Sequence, residues 1–180
     1  MRHPIIRCCP CAEEQKTNVT LIFERKELIY DVSNFSYVEA DIMQEDDECR
    51  RHQVFDISQD GNVDRVTRVL NTAHAEIVEM LYPYTKQEIT GNEVLDDRLT
   101  EPEKYSIVLT IPSSFSQTTV ELLSKLIHEY FVCRVLADWM SITNPDSEGK
   151  WEKKFTLIKE KIRSSLVSRQ KHVRRRLKPF

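Results

Sequence analysis

The chain has 180 residues, 40% of them hydrophobic, which is enough for one buried core and falls in the usual one-domain range. Its only glycines are Gly61, Gly91 and Gly149, and phosphate-cradling loops need backbone that approaches the ligand at glycine positions, so the composition argues against a Rossmann or P-loop nucleotide site. The net charge of -3 hides a division: residues 150–180 carry 12 Lys plus Arg against Glu152 and Glu160, a net +10, whereas residues 1–149 carry 14 bases and 27 acids, a net -13.

The N-terminal stretch MRHPIIRCCPC lacks the apolar run and cleavage site of a signal peptide. No run of about 18 apolar residues occurs, so no membrane segment is expected and the protein reads as soluble and intracellular. Residues 1–16 read as an extended segment. Five cysteines, an odd number, in a chain that needs no covalent staples are expected to be reduced thiols.

From residue 17 to residue 43, TNVTLIFERKELIYDVSNFSYVEADIM is rich in Val, Ile, Phe and Tyr in short runs. That is strand composition, and ERKE between LIF and LIY suits a hairpin turn. An acidic segment from Glu45 to Glu48 follows. Asn62 is placed to cap a helix, because Val63, Val66, Leu70, Ala73, Ile77 and Met80 recur at three- and four-residue steps as one amphipathic stripe ending near Pro83.

A connecting region from 84 to 104 leads to a second strand signal, YSIVLTI at 105–111, ended by Pro112. A long helix is expected from Ser116, as its cap, to about Ile142. Val120, Leu123, Ile127, Tyr130, Ala137 and Met140 form one stripe, and Leu122, Leu126, Phe131 and Val135 fall outside it, so this helix should be central and largely surrounded. In the turn TNPDSEG, Asn144 is a natural cap, Pro145 suits the first helical position, and Asp146 and Glu148 favour the positive end of the dipole. Trp151, Phe155, Ile158, Ile162 and Leu166 then follow close to heptad spacing, which predicts an antiparallel helical hairpin. Trp139, Trp151 and Phe155 are its packing landmarks, with the two tryptophans expected to pack the turn from both sides. The expectation is one α+β domain over 17–168, mainly a helical bundle with a β-hairpin, followed by a basic tail at 169–180.

His128 and Glu129 bear on the zinc-protease helix motif, which needs a second His four residues after the first; position 132 is Val. Asp138 stands ten residues from His128, roughly 15 Å along a helix, so the two cannot form a dyad. No catalytic residue and no cofactor is assigned. Cys8 and Cys11 form a C-x-x-C pair, Cys49 and His52 a C-x-x-H pair, and together they could close a structural tetrahedral zinc site. The alternative is incidental thiols, since no Gly follows Cys11 to make a tight knuckle. In the tail, Arg169, Lys171, Arg174, Arg175, Arg176 and Lys178 can neutralise phosphates or an acidic protein surface. Phe180 is the tail's only aromatic, and no base-reading motif is present. A solvated helix end is the plainer reading of the same residues.

The stretch from Phe115 through Arg169, with LADWMSITNP ending one helix and W-x-x-K-F opening the next, resembles the helical hairpin of tailed-bacteriophage head–tail connector proteins. DGNVDRVTRVLNTAHAEIVEMLYPYT is similar in texture to phage-type proteins of Bacteroides phages and prophages. The resemblance implies a non-enzymatic virion protein, assembled in the host cytoplasm as a homo-oligomeric ring of the neck. Its partners would be the portal and other neck or tail proteins, with DNA passing through the channel. The zone at 17–43 departs from compact helical connectors. A nucleic-acid-binding protein that grips phosphate with the tail is the competing expectation.

Overall fold

The computed structural model describes residues 16–43, 48–87, 91, 96–113 and 115–167, apart from the side chains of 48–50 and 167. Strand β1 is Lys16–Glu24, followed by helices α1 (Arg25–Ile42), α2 (Glu48–Phe55), α3 (Asp60–Met80) and α4 (Tyr82–Thr85), strand β2 (Lys104–Pro112), and helices α5 (Gln117–Thr143) and α6 (Pro145–Val167). A single 3-10 turn at Asp56–Ser58 links α2 to α3. The fold is α+β and mainly helical, with a small antiparallel sheet and a long C-terminal helical hairpin.

The predicted β-hairpin does not form. β1 ends at Glu24, and the ERKE segment starts α1 instead of turning the chain back. The residues that decide this are Leu28, Val32, Ser36 and Ala40, all buried and spaced by four, so the apolar set lies on one side of a helix. Strand-forming composition in LIY and FSYV gives way to that period. The partner of β1 is β2, antiparallel, with Lys16 opposite Pro112 and Glu24 opposite Lys104. Both strands alternate: Leu21, Phe23, Tyr105, Ile107, Leu109 and Ile111 are buried, whereas Asn18, Thr20, Ile22, Ser106, Val108 and Thr110 face outward.

The helical expectations hold, with changes at the caps. Asn62 lies inside the first turn of α3, where its amide donates to the Asp56 carbonyl (2.8 Å), and Gln59 occupies the cap position. Ser116 does precede α5, but its hydroxyl makes no capping bond. Asn144 joins the two long helices: its N–H bonds the Met140 carbonyl (2.9 Å), and its carbonyl accepts from Ser147 (3.0 Å). α5 is the central element, packed against α6, α3, α1 and α2. Leu123, Ile127, Tyr130, Phe131, Leu136 and Met140 are almost fully buried along it, although Leu122 and Ile142 remain exposed.

An aromatic knot closes the space between sheet and bundle. The Phe131 ring lies 5.5 Å from Phe23, 5.6 Å from Tyr105 and 6.5 Å from His74. These offsets are in the range of favourable aromatic pairs. The knot therefore fixes β1, β2, α3 and α5 at one point.

Candidate functional site

His128 sits half-buried on α5 with its Nε2 2.7 Å from Oδ2 of Asp31 on α1. Its ring lies 6.5 Å from Phe23. Asp138, separated from His128 along the helix as expected, takes both Nε (3.1 Å) and Nη2 (2.9 Å) of Arg65. Glu129 pairs with Lys154 at 3.1 Å. Each member of the suspected cluster thus ties α5 to a different helix: Asp31 is on α1, Arg65 on α3 and Lys154 on α6. Among the described residues no hydroxyl or thiol hydrogen-bonds to His128, and the buried Cys133 thiol is pushed up to about 11 by desolvation. A thiol so raised is a poor nucleophile.

The hairpin landmarks each bind a different neighbour. Trp139 is buried and its Nε1 donates to the Val54 carbonyl at the end of α2 (3.0 Å). Trp151 is buried against α1, edge-on to Phe35 at 5.5 Å, with Lys154 Nζ 5.3 Å from its ring. Its Nε1 has no hydrogen-bond partner among the described residues. Phe155 packs on Tyr130 across the hairpin at 4.9 Å. Beside the turn, Glu39 of α1 is buried and accepts from Ser147 (3.0 Å) and Lys150. The tryptophans therefore anchor the hairpin to α1 and α2.

Cys8 and Cys11 and the side chain of Cys49 lie outside the described residues, as do Arg169, Lys171, Arg174, Arg175, Arg176, Lys178 and Phe180. His52 is exposed on α2. Among the described residues no group of three or more His, Cys, Asp or Glu side chains is arranged to hold a metal ion. No described helix is long and apolar enough to cross a membrane.

The largest feature that sequence reasoning missed is a surface. Tyr30, Tyr37, Val38 and Ile42 of α1 have 66%, 58%, 52% and 71% of their area exposed. Tyr30 and Tyr37 lie in line, two turns apart, and Val38 and Ile42 sit roughly 100–140° round the helix from Tyr37. Phe55 at the end of α2 meets Tyr37 edge-on at 5.7 Å. A groove of about 380 Å³ runs beside this pair, lined by Tyr37, Ala40, Asp41, Arg51, His52 and Phe55. Arg51 forms part of its wall, donating to the Ala40 carbonyl (3.0 Å) and pairing with Asp41 (3.6 Å). The side chains were visible in the sequence, but only a helical reading of 25–42 brings Tyr37 into line with Tyr30, since residues seven apart lie on opposite faces of a strand.

Compared with models of protein families, with curated proteins and with solved structures, the chain matches none.

Proposed function

We propose that the chain is a non-enzymatic assembly protein, a subunit of an oligomeric ring in the neck of a tailed-phage virion that joins portal to tail around the DNA channel. One observation carries the assembly role: the exposed aromatic patch of Tyr37 and Phe55 beside the groove, with Tyr30 in line with Tyr37 on α1. Contiguous apolar surface rimmed by polar groups marks protein interaction sites, and Tyr is among the residues enriched at interface centres. The neck placement rests on the resemblance of the hairpin and its tail to connector proteins. In this reading the α1 face meets a different surface of the next copy, a head-to-tail contact that closes into a ring when the rotation between copies divides a full turn.

Mass photometry of the full chain should show a discrete species of many copies. Tyr37→Glu, which places a charge beside Phe55 in the aromatic patch, should return it to small species with unchanged helical circular dichroism. A chain that never exceeds a dimer at any concentration overturns the ring. The alternative, a nucleic-acid-binding protein, is favoured by the six bases of the tail, which can grip phosphate without sequence preference.

A further inference from the structure

The geometry points to a second assembly surface, the free edge of β1, and we propose that it pairs antiparallel with β1 of a second copy about a two-fold axis at Thr20. The proposal is independent of the neck reading and uses a different face of the molecule.

The hydrogen-bond pattern shows which backbone groups are free. Arg25 N donates to the Glu103 carbonyl at 3.0 Å, and the strand register, extended one step past Glu24 and Lys104, sets these two residues opposite each other. In an antiparallel ladder hydrogen-bonded and non-bonded pairs alternate. Thr17, Val19, Leu21 and Phe23 are therefore bonded to β2, and Asn18, Thr20 and Ile22 turn their N–H and C=O groups away from it. The opposite edge agrees: Ser106, across from Ile22, points its carbonyl outward, where His74 Nε2 meets it at 3.1 Å. The outer edge of β2 is thus partly occupied by α3. Among the described residues no hydrogen bond reaches the outward N–H and C=O groups of Asn18, Thr20 and Ile22 on β1.

Sheet proteins blunt exposed edges with prolines, bulges, or charges within the strand. β1 uses none of these: KTNVTLIFE has charges only at its ends, no proline, and an unbroken register. Its sequence is self-complementary about Thr20. An antiparallel pairing centred there puts Lys16 opposite Glu24 of the second copy, Asn18 opposite Ile22, and Thr20 opposite Thr20. Glu24 already pairs with Lys104 at 3.0 Å, so it would stand between two lysines. Lys16 has no carboxylate in reach among the described residues and would gain one. A shift of two residues loses both charge pairs, and a shift of one turns the buried face outward.

The inner face fits as well. Val19 is half-buried and Thr17 exposed, and both line an apolar groove of about 420 Å³ with Ile111, Phe115 and Val120. In the proposed register they lie opposite Leu21 and Phe23 of the second copy, so the least covered corner of one sheet adjoins the best covered corner of the other. The result is a four-stranded sheet across the two-fold. A two-fold contact cannot generate a cyclic ring by itself, so with the α1 face it would join two rings or build one from dimers.

Cysteine cross-linking of the full chain tests the register. Across the axis the Thr20 Cα atoms would be about 5.5 Å apart, inside the disulfide range of roughly 4.4–6.8 Å, whereas those of Asn18 would be about 13 Å apart, four strand residues. Thr20→Cys should give a covalent dimer under mild oxidation, reversed by reductant and absent from the wild type, and Asn18→Cys should not. Thr20→Pro, which removes an N–H that faces solvent in the single copy, should abolish the dimer while keeping the circular dichroism. The proposal is overturned if the wild type is monomeric throughout, if Asn18→Cys cross-links as readily as Thr20→Cys, or if dimers form only after residues 1–15 are deleted. That last result would mean that the chain's own N-terminal segment takes the edge.

Discussion

Burial sets the behaviour of three ionisable groups at the centre of the bundle. Desolvation pushes the Cys133 thiol up to about 11 and the Tyr105 phenol up to about 12. Tyr130 is raised by burial first and then by its hydrogen bond to Glu76 (2.6 Å). In each case the folded state favours the protonated, neutral form. The corresponding stability is complete below the unfolded values, near 9 for the thiol and 10 for the phenols, and is lost as pH rises through the folded ones. Urea unfolding should show stability falling above pH 9, by about 2 kcal/mol at pH 10. Cys133→Ala should cost stability at neutral pH but flatten the slope. A profile unchanged between wild type and variant would contradict the assignment. His128 adds a different lesson at this scale. Its partner Asp31 lies 97 positions away in the chain, so no local spacing rule could have paired them.

Among the elements, α2 packs mainly on α1, and the Trp139 bond to the Val54 carbonyl is its buried polar tie to the hairpin. Trp139→Phe keeps most of the packing and removes that donor, leaving a buried carbonyl unpaired. It should cost about 1–3 kcal/mol, and hydrogen exchange should loosen first in α2. Global loosening without a local effect on α2 would show that the bond does not hold this element. The long helices were legible because their apolar residues repeat over many turns, and Asn144 and Pro145 mark the joint between α5 and α6 to the residue. α1 was not legible in the same way. Its buried positions Leu28, Val32, Ser36 and Ala40 include a serine, and its exposed face carries the aromatics that usually signal a strand. α2 escaped notice because among its described side chains, 51–55, only Val54 is buried. The alignment of Tyr37 with Tyr30 was lost with α1, since residues seven apart fall on opposite faces of a strand.

At the scale of the whole molecule, the division of charge sets a third expectation. Residues 150–180 carry +10 and the rest -13, so the tail can be drawn to acidic surface of its own kind or to DNA. Either attraction weakens with salt, but binding to duplex falls steeply because each neutralised phosphate releases counterions. Truncation before residue 169 should weaken assembly if the tail meets protein, and should abolish retention of duplex DNA if it meets phosphate. Strong DNA binding lost on truncation, from a chain that forms no oligomer, would favour the nucleic-acid reading over the ring. The strand pair has a consequence in time as well as in space. Glu24 must wait for Lys104, 80 positions later, and at about 5–20 residues per second of synthesis that delay is on the order of 4–16 s. During it β1 has emerged with both edges open, while α1 and α3 can already form from local contacts. The nascent chain therefore passes through an interval in which its first strand is most exposed to mispairing. Slower translation between the two strands should lower soluble yield more than slower translation after residue 112.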